Sequence, residues 1–277
     1  MSWERWAHSR ATKGNLWFGR GHSWRHSYQW EITSAGVDTN GAAKLQINYP
    51  DGTVYTFIQL SETEWESPIA CPDILGQAGD DFLLQRANGW PYHIVRHYTT
   101  QGAAYYLLED FTDAQGNIYT LTYNTARQLT KITEPAGRWL TIQYGKVTMN
   151  QGVSNTLVNI SVITKVTASD GRQVAYAYAP YTDVTLPYTY QVLSSVVYPE
   201  GVQAHYEYTL ARPGTRPLVA RWDDPHYRLP LPRSRTEYST DTNAAWGAVL
   251  RQYNDQTGEV LMEVGKYNGS VNIDLAP

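Results

Sequence analysis

The chain has 277 residues, 42% of them apolar, which is enough to bury a core and excludes a disordered polypeptide. Twenty-two Tyr and ten Trp stand against four Phe and three Met; rings with a polar tip suit half-buried strand faces, so the composition predicts sheet. A net charge of −4 and a pI near 6 give no general attraction for nucleic acid or anionic lipid, and a single cysteine, Cys71, excludes an intrachain disulfide and a multi-thiolate metal site.

In chain order, the first ten residues carry mixed charge with no apolar run of signal-peptide length, and no later stretch approaches a membrane span. Residues 1–35 form a Trp-rich opening segment with Trp3, Trp6, Trp17, Trp24 and Trp30. Residues 36–211 read as a region of β-hairpin repeats. Four glycines there carry one frame: apolar at −8 and −5, glycine at zero, apolar at +5 and tyrosine at +7. The copies are Leu108, Phe111, Gly116, Leu121, Tyr123; Leu129, Ile132, Gly137, Ile142, Tyr144; Ile163, Val166, Gly171, Tyr176, Tyr178; and Leu193, Val196, Gly201, Tyr206, Tyr208. Weaker copies without the last tyrosine surround Gly52 and Gly89.

Positions +3, +5 and +7 share one face of a strand, and turn-forming residues precede each glycine, so each frame predicts strand, tight turn, strand. The −8 and −5 residues, three apart, would face opposite ways on a regular strand, so a bulge or a short separate strand is expected between them. Variable loops are expected at Lys146 to Asn155 and Pro180 to Tyr188. Residues 212–245 hold six arginines and five prolines between Arg212 and Arg235, which argues against a central strand and reads as a loop or linker. Residues 246–277 read as a further hairpin, with truncation left open. The fold class expected is therefore all-β: antiparallel hairpin repeats in a continuous, curved or spiralling sheet.

Gly116-Asn-Ile-Tyr-Thr-Leu-Thr-Tyr123-Asn124, followed by Leu129-Thr-Lys-Ile132-Thr-Glu-Pro135-Ala-Gly137-Arg138, resembles the YD repeat of Rhs proteins. Asn124 stands in place of the usual Asp, and Arg127-Gln128 in place of Gly-Arg. Phe18-Gly-Arg-Gly21-His-Ser-Trp24-Arg25-His26-Ser27-Tyr28 looks like the segment that precedes such repeats. The resemblance covers roughly residues 17–210. It implies a partial shell wall, in a family whose sheets enclose a toxic carboxy-terminal polypeptide or build adhesion barrels. Partners would then be downstream shell repeats or toxin cargo, and the location secreted or cell-surface. The self-cleavage motif Asp-Pro-x-Gly-Leu is not matched, since Asp224-Pro225-His226-Tyr227-Arg228 lacks its Gly and Leu. Open sheet edges predict that the isolated chain self-associates or relies on downstream sequence for cover.

Chemistry has few footholds. His22 and His26, like His93 and His97, have a spacing that chelates a metal on a helix but holds the rings about 13 Å apart on a strand, so neither metal nor cofactor is expected. His26 is expected to hydrogen-bond locally. Glu62 with Glu64, Asp80 with Asp81, and Asp223 with Asp224 could serve glycoside hydrolysis, yet all lie in turn-like sequence where carboxylates are solvated. No catalytic residue is assigned. The frame residues Gly116, Tyr123, Gly137, Tyr144, Gly171, Tyr178, Gly201 and Tyr208 are structural. The alternative role is carbohydrate binding or adhesion, with Trp17, Trp24 and Trp30 as glycan contacts; a glycoside hydrolase is the second alternative.

Overall fold

The computed structural model describes residues 3–8, 17–19, 23–69, 71–99, 101–102, 104–151, 156–182, 189–210, 217–223, 234–239, 246–254, 260–267 and 270–275, with side chains described no further than Tyr208. Every regular element among them is a strand. β1 (Arg5–His8) and β2 (Ser23–His26) pair with each other. Next come β3 (Glu31–Val37), β4 (Ala43–Asn48), β5 (Val54–Gln59), β6 (Trp65–Glu66), β7 (Ile74–Ala78), β8 (Asp81–Gln85), β9 (Pro91–Tyr98) and β10 (Ala104–Thr112). β11 (Ile118–Tyr123), β12 (Leu129–Thr133), β13 (Trp139–Gln151), β14 (Thr156–Ala168), β15 (Gln173–Tyr181), β16 (Tyr190–Val197), β17 (Gln203–Leu210) and β18 (Pro217–Asp223) follow. β3 to β18 form one 16-stranded sheet. β19 (Ser234–Ser239), β20 (Trp246–Asn254), β21 (Val260–Tyr267) and β22 (Ser270–Leu275) form a separate four-stranded antiparallel meander.

The chain divides into two compact units, residues 1–11, 24–143 and 166–172 in one and 12–23, 144–165 and 173–277 in the other. In the first unit β3 to β6 run as a meander, β7 to β10 as another, and β10 continues through β11 and β12 into the start of β13. A strand has two edges. β9 runs along one edge of β10 from Ala104 to Phe111, so β11, paired at Asp110 to Thr112, and β3, paired at Tyr106, share the other. The approach to β6 meets β7 at an isolated Glu64–Gly76 bridge and at the Gln77 amide bond to the Thr63 carbonyl, and Trp65 Nε1 donates to Gln77 Oε1, but no ladder joins the two strands, so strand pairing among the described residues does not close a barrel. Leu45 and Ile47 on β4, Phe57 on β5, and Phe82 and Leu84 on β8 are buried at the two-residue period of a one-sided sheet. Each such side chain contributes about 1.5–3 kcal/mol.

The expected frame is present in atomic detail. Gly116, Gly137, Gly171 and Gly201 have φ of 82°, 81°, 88° and 83°, each as the last residue of a four-residue turn. In the first, the Gly116 amide donates to the Asp113 carbonyl at 3.0 Å, and the Asp113 amide donates to the Asn117 carbonyl at 3.0 Å. The same two bonds recur around Gly41, Gly52, Gly89, Gly137, Gly171 and Gly201. They recur at Asn124 to Gln128 as well, where Arg127 occupies the glycine position with φ 61°, the one positive-φ side chain among the described residues. Asp38, Asp113 and Asn124, three residues before the positive-φ residue, hold their turns by accepting two backbone amides on Oδ1.

From these turns three hairpins form the same ladder: positions −4, −5 and −6 pair with +2, +3 and +4 in β10–β11, β12–β13 and β16–β17. The ladder stops where the strand bulges. Glu109, Thr130 and Ser194, each at position −7, are the extra residues against the strand on the opposite edge. The insertion lets residues three apart face the same way: Leu108 with Phe111, Leu129 with Ile132, and Leu193 with Val196 are all buried. The expected bulge is the rule of the repeat.

Two expectations need correcting. Lys146 to Gln151 are strand, the end of β13, and with β14 they carry a core of Met149, Ile160 and Val162 backed by Val147, Val158 and Tyr178. Two-residue apolar alternation on both strands outweighs the polar look of the segment. The stretch 212–245 contains β18, which pairs with β17 from Asp223 opposite His205 to Pro217 opposite Leu210, and all of β19. Pro217 is tolerated because it is a first residue and β18 lies at an end of the described sheet. Residues 224–233 lie outside the described residues, as do 183–188 of the second expected loop.

Candidate functional site

The frame tyrosines are the most regular chemical feature. Tyr123 Oη donates to the Leu108 carbonyl at 2.8 Å, Tyr178 Oη to the Ile163 carbonyl at 2.5 Å, and Tyr208 Oη to the Leu193 carbonyl at 2.7 Å. In each case position +7 reaches back to position −8 of its own frame. For β10–β11 and β16–β17 that carbonyl lies beyond the last ladder pair, so the hydroxyl holds the two strands together past the bulge. Tyr144 is half-buried, its hydroxyl held above the usual phenol range by burial, and its ring makes an edge-to-face contact with Trp17 at 5.5 Å between ring centres. At Tyr123, Tyr178 and Tyr208 a tyrosine, unlike a phenylalanine, supplies the oxygen for this bond.

A second cluster belongs to the first unit. Arg86, at the start of the turn into β9, puts its guanidinium carbon 5.0–5.6 Å from the ring centres of Trp30, Tyr49 and Tyr92. Its Nε lies 2.8 Å from Asp73 Oδ2, and the Asp73 side chain is 3% exposed against 30% for Arg86. The Ala87 amide donates to Asp73 Oδ1 at 2.8 Å, and Ser67 Oγ donates to the Asp73 carbonyl at 2.6 Å. Burial, reinforced by neighbouring Asp73, raises the Tyr49 hydroxyl far above the phenol range. Half-buried Cys71 has its thiol pKa raised by burial, with Sγ 4.0 Å from Tyr49 Oη. Beside this cluster opens a cavity of about 210 Å³ lined by Tyr49, Asp51, Thr53, Tyr55, Asp73, Arg86 and Asn88, among others.

The sequence-selected tryptophans each pack against neighbours of their own unit. Trp24 is 5% exposed and carries the Arg5 guanidinium over its ring, so it presents no face to a ligand. Trp30 packs against Tyr49 and Tyr92 in the Arg86 cluster, and Trp17 lies half-buried in the second unit against Tyr144. His26 is buried, stacks on Trp3 at 4.5 Å, and accepts the Tyr28 amide on Nδ1 at 3.3 Å. Burial and then neighbouring Arg25 push its pKa down to about 3, so it is neutral.

His93 sits between Asp110, at 3.1 Å, and Asp81, at 3.8 Å, while His97 meets Glu109 at 2.8 Å; each histidine has its own carboxylate. Asp80 pairs with Arg96 at 2.9 Å, and Asp81 Oδ1 accepts the Arg96 amide. Glu62 and Glu64 are exposed. His22 and Asp224 lie outside the described residues. No helix among the described residues is long and apolar enough to cross a membrane.

Sequence reading missed Asp73 and Arg86. Arg86 stands at a turn position that Asp38, Asp113, Asn124 and Glu134 but also Tyr49, Ala168 and Tyr198 occupy in other copies, and nothing local announces that three distant rings converge on it. No family model and no curated protein matches this chain.

Proposed function

We propose that this chain is a non-catalytic scaffold, a wall of antiparallel hairpins whose repeated residues serve architecture. The particular wall it fits best is a segment of an Rhs/YD-repeat shell that encapsulates or displays a toxin or surface effector. The carrying observation is the common hairpin: one ladder, one bulge and one tyrosine hydroxyl returned to the same carbonyl. The Arg127 turn adds support, because the YD pattern has glycine where the backbone here requires positive φ. The sheet's pairing path ends at β6 and β18, edges onto which further strands of a longer wall, or a second copy, would add. Both Asp73 oxygens are engaged by Arg86 and the Ala87 amide, an arrangement suited to bracing rather than proton transfer.

The test is recovery of the native polypeptide from its source with an antibody to residues 31–112, followed by mass spectrometry and electron cryomicroscopy. The expected product is a longer chain whose additional hairpins enclose a polypeptide. A native product that ends at Pro277 and stays monomeric at high concentration overturns the proposal.

A further inference from the structure

The cavity beside Arg86 is unassigned, and its lining constrains what it accepts. Both signs of charge are present: Asp51 and Asp73 on one side of the account, Arg86 on the other. Asp73 and Arg86 neutralise each other at 2.8 Å, which leaves the Asp51 carboxylate as the unbalanced charge of the lining, so an anionic ligand would meet a like charge without a free counter-charge. Groups that both donate and accept hydrogen bonds meet no such conflict.

The polar atoms around the cavity are of that mixed kind. Asp51 commits Oδ1 to the Thr53 amide at 2.8 Å, which leaves Oδ2 as an acceptor. Asn88 commits Oδ1 to the Trp90 amide at 3.1 Å, which leaves its NH₂ as a donor. The Thr53 hydroxyl can do either. Tyr55, half-buried and in edge contact with Tyr49 at 5.3 Å, adds an aromatic surface. At about 210 Å³ the space falls below the roughly 300–1,000 Å³ of pockets for drug-sized ligands, which matches a single small ring.

From this we infer that the cavity binds one neutral pyranose, its hydroxyls shared among Asp51, Thr53, Arg86 and Asn88 and one face set against Tyr55. The site differs from the tryptophans that the sequence offered for glycan contact, and it does not depend on the shell reading: a wall segment or a free-standing domain would carry it equally.

The test is saturation-transfer-difference NMR with the whole chain and a panel of glucose, galactose, mannose and N-acetylglucosamine, with titration to obtain Kd. At least one sugar is expected to bind in the millimolar range. Asp51→Asn and Asn88→Asp each keep the turn acceptor and the size of the side chain; each is expected to weaken binding at least tenfold while the thermal midpoint stays put. Absence of binding by the whole panel at tens of millimolar overturns the inference. So does binding that survives both substitutions, or stronger binding of methylammonium or inorganic phosphate than of any sugar.

Discussion

Arg127 gives the sharpest test of the turn geometry. Its φ of 61° lies where glycine stands in the other copies, and an L side chain in that region costs about 1–2 kcal/mol. Arg127→Gly removes that cost, adds back about 0.5–1 kcal/mol of chain entropy, and loses the contact of the guanidinium with the Tyr105 ring at 4.5 Å, itself about 0.5–1 kcal/mol at an exposed site. The net change from the native protein is therefore close to zero and uninformative alone. Arg127→Ala loses the same ring contact and keeps the backbone cost, so the difference between the two variants isolates the backbone. Glycine is expected to be the more stable by about 1 kcal/mol. Urea unfolding followed by tryptophan fluorescence measures it, with equal slopes as the check that the two variants unfold alike. If alanine equals or exceeds glycine, the residue does not need a left-handed backbone and the common-turn argument fails.

Tyr208→Phe and Tyr123→Phe each delete one hydroxyl bonded to a backbone carbonyl. Each is expected to cost about 1 kcal/mol in denaturant unfolding, with faster amide exchange in the adjoining hairpin than elsewhere. Arg86→Ala strands the buried Asp73 carboxylate and is expected to cost about 3 kcal/mol, the low end for a broken buried pair because Arg86 keeps part of its exposure; Asp73→Asn in the same background should recover part of it. Acid should weaken the fold in two stages, read as falling thermal midpoints. His26, depressed to about 3 when folded, binds its proton in the unfolded chain first, so stability declines as pH drops from about 6.5 toward 3, and His26→Gln removes that stage. Asp113, bonded by Asn117, and Glu134 and Asp170, bonded by Arg138 and Arg172, are held below ordinary carboxylate values. Their contribution is complete above about 4 and vanishes as pH falls through the lowered values.

The hairpins were legible because their information is local. A turn with positive φ, an apolar +5 residue and a tyrosine at +7 lie within one short stretch, and even the bulge could be read from Leu108 and Phe111 sharing a core at a spacing a regular strand forbids. Placement of β3 beside β10 was not legible, since neither the Ile32 nor the Tyr106 region carries a mark that selects the other. The Arg86 cluster was hidden for the same reason: Trp30, Tyr49, Asp73 and Tyr92 come from separate strands and turns, and their convergence depends on tertiary register. Proline misled in 212–245, where its effect depends on position; Pro217 opens an edge strand, a place with no donor to lose.

The same distinction bears on what the tyrosines are for. Composition offers two uses of an aromatic excess, packing or recognition, and cannot separate them because both need the same rings. Hydroxyl partners can. At Tyr123, Tyr178 and Tyr208 the oxygen is returned to the chain at the same relative position, which ties those rings to the repeat. Tyr55 belongs to an upstream hairpin that lacks the +7 tyrosine altogether, and it borders a cavity rather than a bulge. Recognition, where this protein has it, is therefore to be sought where the repeat is least regular, and the substitution of Asp51 tests that while leaving every frame tyrosine in place.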